Sequence, residues 1–150
     1  MQVDTRLKAE LSVPKTVPLR APVALEFKVT NQSDQAVYLL DWYTPLEGIF
    51  GDIFQVTLEG KELPYLGPLV MRAAPLPEQY TLLEVDQSAT AVVDIATGYD
   101  FSVAGLYSIA FKSPRISHLV EDTAEFAISV EELAPVHIPS QPVEVEIVPP

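Results

Sequence analysis

TAVVDIATGYDFSVAGLYSIAF, residues 90–111, alternates apolar and polar side chains, breaks at a polar corner around Tyr99-Asp100-Phe101-Ser102, and alternates again after Gly105-Leu106-Tyr107. A period of two marks a strand, because successive side chains point to opposite faces of a sheet. A strand, a turn over the end of the sheet and a returning strand are the sequence pattern of an all-β, immunoglobulin-like antiparallel β-sandwich. In that fold a Tyr near the start of the penultimate strand sends its hydroxyl back across the corner and ties the chain down. Tyr107 is placed for this role, with Tyr99 as the competing candidate.

Working outward, Val3, Thr5, Leu7, Ala9, Leu11 and Val13 keep the same period until Pro14 and Pro18 end it. Val23, Leu25, Phe27 and Val29 repeat it and run into Asn31-Gln32-Ser33-Asp34, whose short polar side chains favour a turn. Residues 37–42 form the next strand, which places Trp42 on a third strand, between the sheets. Residues 53–58, the turn Glu59-Gly60-Lys61 and residues 62–65 read as a hairpin. Residues 69–73 and 80–83 are expected to flank a Pro-rich loop containing Pro75 and Pro77. Ala89, Ala91, Val93 and Ile95 then lead into the corner; Phe126, Ile128 and Val130 suggest a further strand, and Val143, Val145 and Ile147 the last. The spacing predicts about eight or nine strands, with no helical period beyond a turn or two. The 14 prolines suit loops and sheet edges far better than helices.

A chain of 150 residues with 48% hydrophobic side chains is long enough for one domain and too apolar to be disordered. We therefore read residues 1–150 as a single sandwich domain, with a Pro-rich connection and last strand over about residues 131–150. No apolar run reaches the roughly 18 residues a membrane span needs. With 9 Lys and Arg against 21 Asp and Glu, the net charge of −12 repels phosphate backbones and anionic lipid surfaces, which argues against nucleic acid and membrane partners. The acidic residues are scattered, as a solvated surface requires. Cysteine is absent, so disulfides, thiolate metal sites and cysteine nucleophiles are excluded. The first residues, MQVDTRLKAELSV, lack a basic segment followed by an apolar one, so no signal peptide is expected; a cytoplasmic protein and an already processed secreted one both fit.

The sequence marks out no catalytic constellation, no metal site and no cofactor. It has no H-E-x-x-H, G-x-S-x-G or P-loop motif. His118 and His137 lie in separate loop-like stretches, and His118, following Ser113-Pro114-Arg115-Ile116-Ser117, is expected to be solvated. The chain is accordingly read as non-enzymatic. The segment from Asp41 to Asp52, DWYTPLEGIFGD, breaks the alternation with a long, partly apolar loop. On a packing reading, Leu46, Ile49 and Phe50 plug the open end of the sandwich while Pro45 and Gly48 shape the turn. On a binding reading, Thr44, Pro45, Leu46, Glu47, Gly48, Ile49 and Phe50 contact a partner, with Glu47 or Asp52 reaching toward a cationic group or metal on the partner. Calcium held by Glu47, Asp52 and carbonyls lacks the dense acidic spacing of such loops.

Lys28-Val29-Thr30-Asn31, Trp42-Tyr43-Thr44-Pro45-Leu46-Glu47-Gly48, Tyr80-Thr81-Leu82-Leu83, Val93-Asp94-Ile95, Tyr99-Asp100-Phe101-Ser102 and Gly105-Leu106-Tyr107, in this order, resemble the N-terminal propeptide-like domain of the deuterolysin and peptidyl-Lys metalloendopeptidase family. The resemblance covers roughly residues 5 to 112. It implies a domain that precedes a zinc peptidase and assists its folding or restrains it; the zinc-ligand motif of the peptidase is absent here. The function this implies is a protein-binding module that inhibits or chaperones a zinc metallopeptidase, through the loop at residues 44–52 aided by the Pro-rich stretch at 73–79. A structural or adhesion-type module that self-associates through sheet edges, as a homodimer for instance, is the alternative.

Overall fold

The structure, a computed structural model, describes residues 5–114, 117–127 and 129–150. Val3, Arg115, Ile116 and Ile128 lie outside them. The alternation Leu7, Ala9, Leu11 gives strand β1 (Leu7–Ser12), whose apolar side chains are buried while Lys8, Glu10 and Ser12 face solvent. The chain then bends into β2 (Thr16–Pro18) and returns as β3 (Ala24–Asn31), which buries Leu25, Phe27 and Val29. Next come β4 (Val37–Leu40), the hairpin of β5 (Phe54–Leu58) and β6 (Lys61–Leu63), then β7 (Tyr80–Leu83) and β8 (Ser88–Asp94). Strand β9 (Gly105–Phe111), the short β10 (Leu119–Val120) and β11 (Val143–Val148) complete the strands. Helical geometry among the described residues is confined to 3₁₀ turns of three residues each, as the prolines require.

These strands form an all-β sandwich. One sheet has the order β1-β3-β8, the other β2-β11-β9-β5-β6. Register follows from burial: Leu25 sits opposite Val93 and Phe27 opposite Ala91, while Tyr107 sits opposite Val145 and Ile109 opposite both Val143 and Val56. A slip by one residue would turn each of these buried sets to solvent. Leu7, Leu25 and Phe27 from the first sheet and Val56, Ile109 and Ile147 from the second meet in one core. Burying each such side chain contributes about 1.5–3 kcal/mol. All pairings are antiparallel except β2 with β11, where the N-terminal segment has crossed from one sheet to the other.

A third, small sheet, β10-β4-β7, lies across one side. Strand β4 is apolar on both faces because both are covered. Val37 and Leu39 point into the main core, while Leu40 joins Trp42, Tyr80 and Val120 in a second cluster. Trp42 therefore departs from the sequence expectation. It is buried, at 2% exposure, but it lies just beyond β4 in the second cluster and not between the two main sheets.

Two expected strands are absent among the described residues. Residues 69–73 run as irregular chain, because their apolar side chains face outward and no neighbouring strand pairs with them. The stretch around Phe126 and Val130 forms the turns Thr123–Glu125 and Val130–Glu132, the first capped by the Asp122 carboxylate. The strands beyond the expected number are the short β2 and β10. The corner matches its reading: the Tyr107 hydroxyl donates to the Val103 carbonyl at 2.6 Å. Tyr99 ties down the opposite side of the same corner. Its hydroxyl donates to Asp52 Oδ1 at 2.7 Å and accepts the Phe54 N–H at 3.0 Å, and burial pushes its pKa far above the usual tyrosine value.

Candidate functional site

The loop after β4 is shaped by its own short motif. Thr44 caps the 3₁₀ turn Pro45–Glu47: its hydroxyl donates to the Asp41 carbonyl at 2.7 Å and accepts the Leu46 N–H at 3.2 Å. Pro45 suits the first helical position, where its missing N–H costs nothing. Glu47 reaches back and accepts the Tyr43 N–H at 2.7 Å. This is a variant of the capping box, displaced by one residue toward the N-terminus. Tyr43 adopts a left-handed conformation, φ 58°, and Gly48 closes the turn at φ 96°, where a side chain would be strained.

Arg72, from the irregular segment before β7, completes the arrangement. Its guanidinium makes a two-pronged contact with Glu47, at 2.8 Å to Oε1 and 2.5 Å to Oε2. It also stacks 4.7 Å from the Trp42 ring centroid and 4.8 Å from that of Tyr43. Planarity lets one cation satisfy a carboxylate fork and two aromatic faces together, which lysine cannot do. Burial opposes its charge, but the Glu47 carboxylate outweighs burial and holds the Arg72 pKa above its ordinary value. Beneath this cluster, burial pushes the Asp41 carboxyl up to about 6, against the opposing hydrogen bond from Thr81 at 2.5 Å and with a smaller upward push from Glu47. Trp42 Nε1 and Arg72 Nε are buried without a hydrogen-bond partner, so the cluster is held by stacking and charge more than by a closed polar network.

The residues expected to contact a partner thus divide. Thr44, Pro45 and Ile49 are buried, and Ile49 and the half-buried Leu46 pack on the main core, the plugging role of the packing reading. Glu47 is committed to Arg72 and the Tyr43 backbone. Phe50, at 41% exposure, is the one large apolar side chain of residues 44–50 that faces outward. Asp52, paired with Glu47 in the calcium reading, instead binds Lys112 Nζ at 2.8 Å and the Tyr99 hydroxyl. Among the described residues no group of three or more His, Asp or Glu converges as a metal cluster would.

His118 differs from the solvated histidine expected. It is half-buried, with Nδ1 2.8 Å from the Tyr80 hydroxyl, which also accepts the Ala127 N–H at 3.1 Å. Burial lowers the His118 pKa, although Glu132 and Glu125 work the other way.

Arg72 is the residue that sequence reasoning missed. Nothing in local spacing joins positions 25 residues apart. Two signals were available: the T-x-x-E pattern of residues 44–47, and an arginine that is the only charge in the apolar run of residues 63–77.

No protein-family profile matches the chain. Over 95 residues it is 35% identical to an extracellular protease of Aeromonas hydrophila, covering 63% of this chain and 27% of that protein. It is similar to part of a protease. The chain spans about a quarter of the length of that curated relative. Among solved structures, the CARDB domain of a Pyrococcus furiosus protein, crystallised in complex with di-metal ions, aligns over 95% of this chain and 87% of that one, at 12% identity and a TM-score of 0.40. A solution structure of the same domain gives 13% identity, 95% and 94% coverage and a TM-score of 0.39.

Proposed function

We propose that this chain is a non-catalytic, propeptide-like binding module that restrains a protease or assists its folding, and that its partner is a zinc metallopeptidase of the deuterolysin and peptidyl-Lys type. The observation that carries the reading is the 35% identity over 95 residues to part of an extracellular protease. The architecture supports it: a sandwich whose prominent loop is stiffened by capping, stacking and a charge-assisted fork presents a preorganised surface, which limits the ordering cost of binding a partner. Phe50, exposed in the same loop as Glu47, supplies an apolar contact on that surface.

The test is a titration of the purified chain into a zinc endopeptidase with a peptide substrate, alongside refolding of the denatured peptidase with and without the chain. Saturable loss of activity, or an increased yield of refolded enzyme, is expected. Unchanged activity together with unchanged yield at a several-fold molar excess would remove the reading.

A further inference from the structure

Five of the twelve exposed large apolar side chains among the described residues fall in one short segment. Leu66, Leu69, Val70, Met71 and Leu76 all stand out from residues 66–76, with Met71 at 98% exposure and Leu69 at 79%. An ordinary flexible loop would be polar; this one carries a single charge, Arg72, which Glu47 neutralises. On a chain of net charge −12 it forms an uncharged apolar island. A contiguous patch of this kind marks an interaction site.

The segment is also pinned. At its start the Leu66 N–H donates to the Gly98 carbonyl at 2.8 Å, and the Tyr65 hydroxyl donates to the Pro68 carbonyl. In its middle Arg72 turns inward, its side chain 11% exposed between Trp42, Tyr43 and Glu47. At its end Pro75 is buried, and the Leu76 N–H donates to Gln79 Oε1 at 2.9 Å. Between the first and second pins Leu69, Val70 and Met71 project, and no backbone hydrogen bond to another described residue occupies the groups of residues 69–74. An irregular strand with free backbone groups, outward apolar side chains and fixed ends is suited to strand-like insertion into a cleft, where main-chain bonds supply affinity and side-chain pockets supply selectivity.

Resting on the propeptide-like reading above, we propose that residues 66–76 are the segment that enters the partner: a substrate-like loop that lays Leu69, Val70 and Met71 along the active-site cleft of an endopeptidase and places Met71 in an apolar pocket. Arg72, the next residue, is the positioning residue. By holding the backbone from inside, it keeps the segment in one conformation and resists the relaxation that cleavage requires. The occupant is a peptidase cleft and not a second copy of this chain, because two copies would bring together net charges of −12 each.

The experiment measures inhibition by the wild-type chain, Met71→Asp, Arg72→Ala and Val92→Asp against the Aeromonas hydrophila extracellular protease and a panel of zinc endopeptidases. Mass spectrometry follows the integrity of each chain. Met71 packs on nothing, so Met71→Asp keeps the wild-type unfolding midpoint; a charge placed at the centre of an apolar pocket then weakens inhibition about 30-fold or more. Val92→Asp, on the exposed face of β8, leaves inhibition within about twofold, as substitutions outside the contact do. Arg72→Ala is cleaved within residues 69–72 under conditions in which the wild-type chain stays intact. Inhibition by wild type that Met71→Asp does not weaken would overturn this loop while leaving the propeptide-like reading in place. Equal survival of wild type and Arg72→Ala would overturn the positioning role. Failure of the wild-type chain to bind any enzyme of the panel would remove the parent reading, and this one with it.

Discussion

Asp41, between Leu40 and Trp42, and His118, against Tyr80, both adjoin the second apolar cluster and respond to pH in opposite senses. Asp41 has a folded pKa of about 6, raised from 3.8 by burial, so the folded state holds its proton more tightly than the unfolded one. Its cost to stability is therefore full above about pH 6 and vanishes as pH falls toward 3.8. His118 is depressed, so it contributes stability above its ordinary value of 6.5 and loses it as pH falls below that. Asp41→Asn keeps a partner for Thr81 and removes the ionisation. After allowance for its partial exposure, the variant should be about 1–2 kcal/mol more stable than wild type at pH 7.5, with the difference shrinking toward pH 4. Urea unfolding at both pH values measures it; a difference that grows on acidification would contradict the assignment. Arg72 offers a second case. Arg72→Ala leaves Glu47 without its cation and opens the space between two rings, which should cost roughly 2–3 kcal/mol. Arg72→Lys should recover less than half of that loss in denaturant titrations, since a point charge cannot reproduce the fork and the stack.

The corner elements show the same dependence on single bonds. Tyr107→Phe removes one hydrogen bond, to the Val103 carbonyl, and should cost about 1–2 kcal/mol. Tyr99→Phe removes two, and leaves the N–H of Phe54 at the start of β5 buried without an acceptor. It should cost more, about 2–4 kcal/mol, and hydrogen exchange at Phe54 should accelerate along with it. Exchange at Phe54 as slow as in wild type would show that this bond does not fasten the strand. The corner was legible in the sequence because it depends on local order: alternation, a polar break, then Gly105-Leu106-Tyr107. Strands β1, β3, β5, β8, β9 and β11 were legible for the same reason, each turning every second apolar side chain inward. What misled was apolar sequence without a partner strand. Residues 69–73 and the stretch around Phe126 and Val130 are apolar enough for strands, but the first is exposed and the second is used in two 3₁₀ turns, one of them capped by Asp122, near the stacked rings of Tyr80 and Phe126, 4.0 Å apart. Trp42 was rightly buried and wrongly placed, since the third sheet that creates its cluster is built from residues 37–40, 80–83 and 119–120, which no local pattern connects. In the candidate site the turn at residues 44–48 was legible, and its cation was not.

At the scale of the whole molecule, the sheet edges decide whether copies of this chain join. An uncovered edge strand offers unpaired N–H and carbonyl groups to any neighbour. Here each edge of the two main sheets is shortened or covered. Strand β1 has the Pro-rich connection beside it, with the Ala9 N–H donating to the Pro139 carbonyl at 2.9 Å, and its outward face carries Lys8 and Glu10. The turn Pro45–Glu47 and strand β7 lie against β8. Strand β2 is three residues long and ends in Pro18, which has no N–H to give; β6 is three residues long and carries Lys61 and Glu62. Two copies approaching edge to edge would also bring together net charges of −12 each, at a cost that salt reduces. The chain should therefore sediment as a monomer of 16.5 kDa at low ionic strength and remain one in 0.5 M salt. A concentration-dependent dimer that strengthens with salt would show that charge, not edge protection, keeps the copies apart. If that dimer dissociated on Met71→Asp, the apolar segment at residues 66–76 would be its seat; if Met71→Asp left it intact, pairing would run through a sheet edge, and the self-associating reading would gain the support that the covered edges deny it.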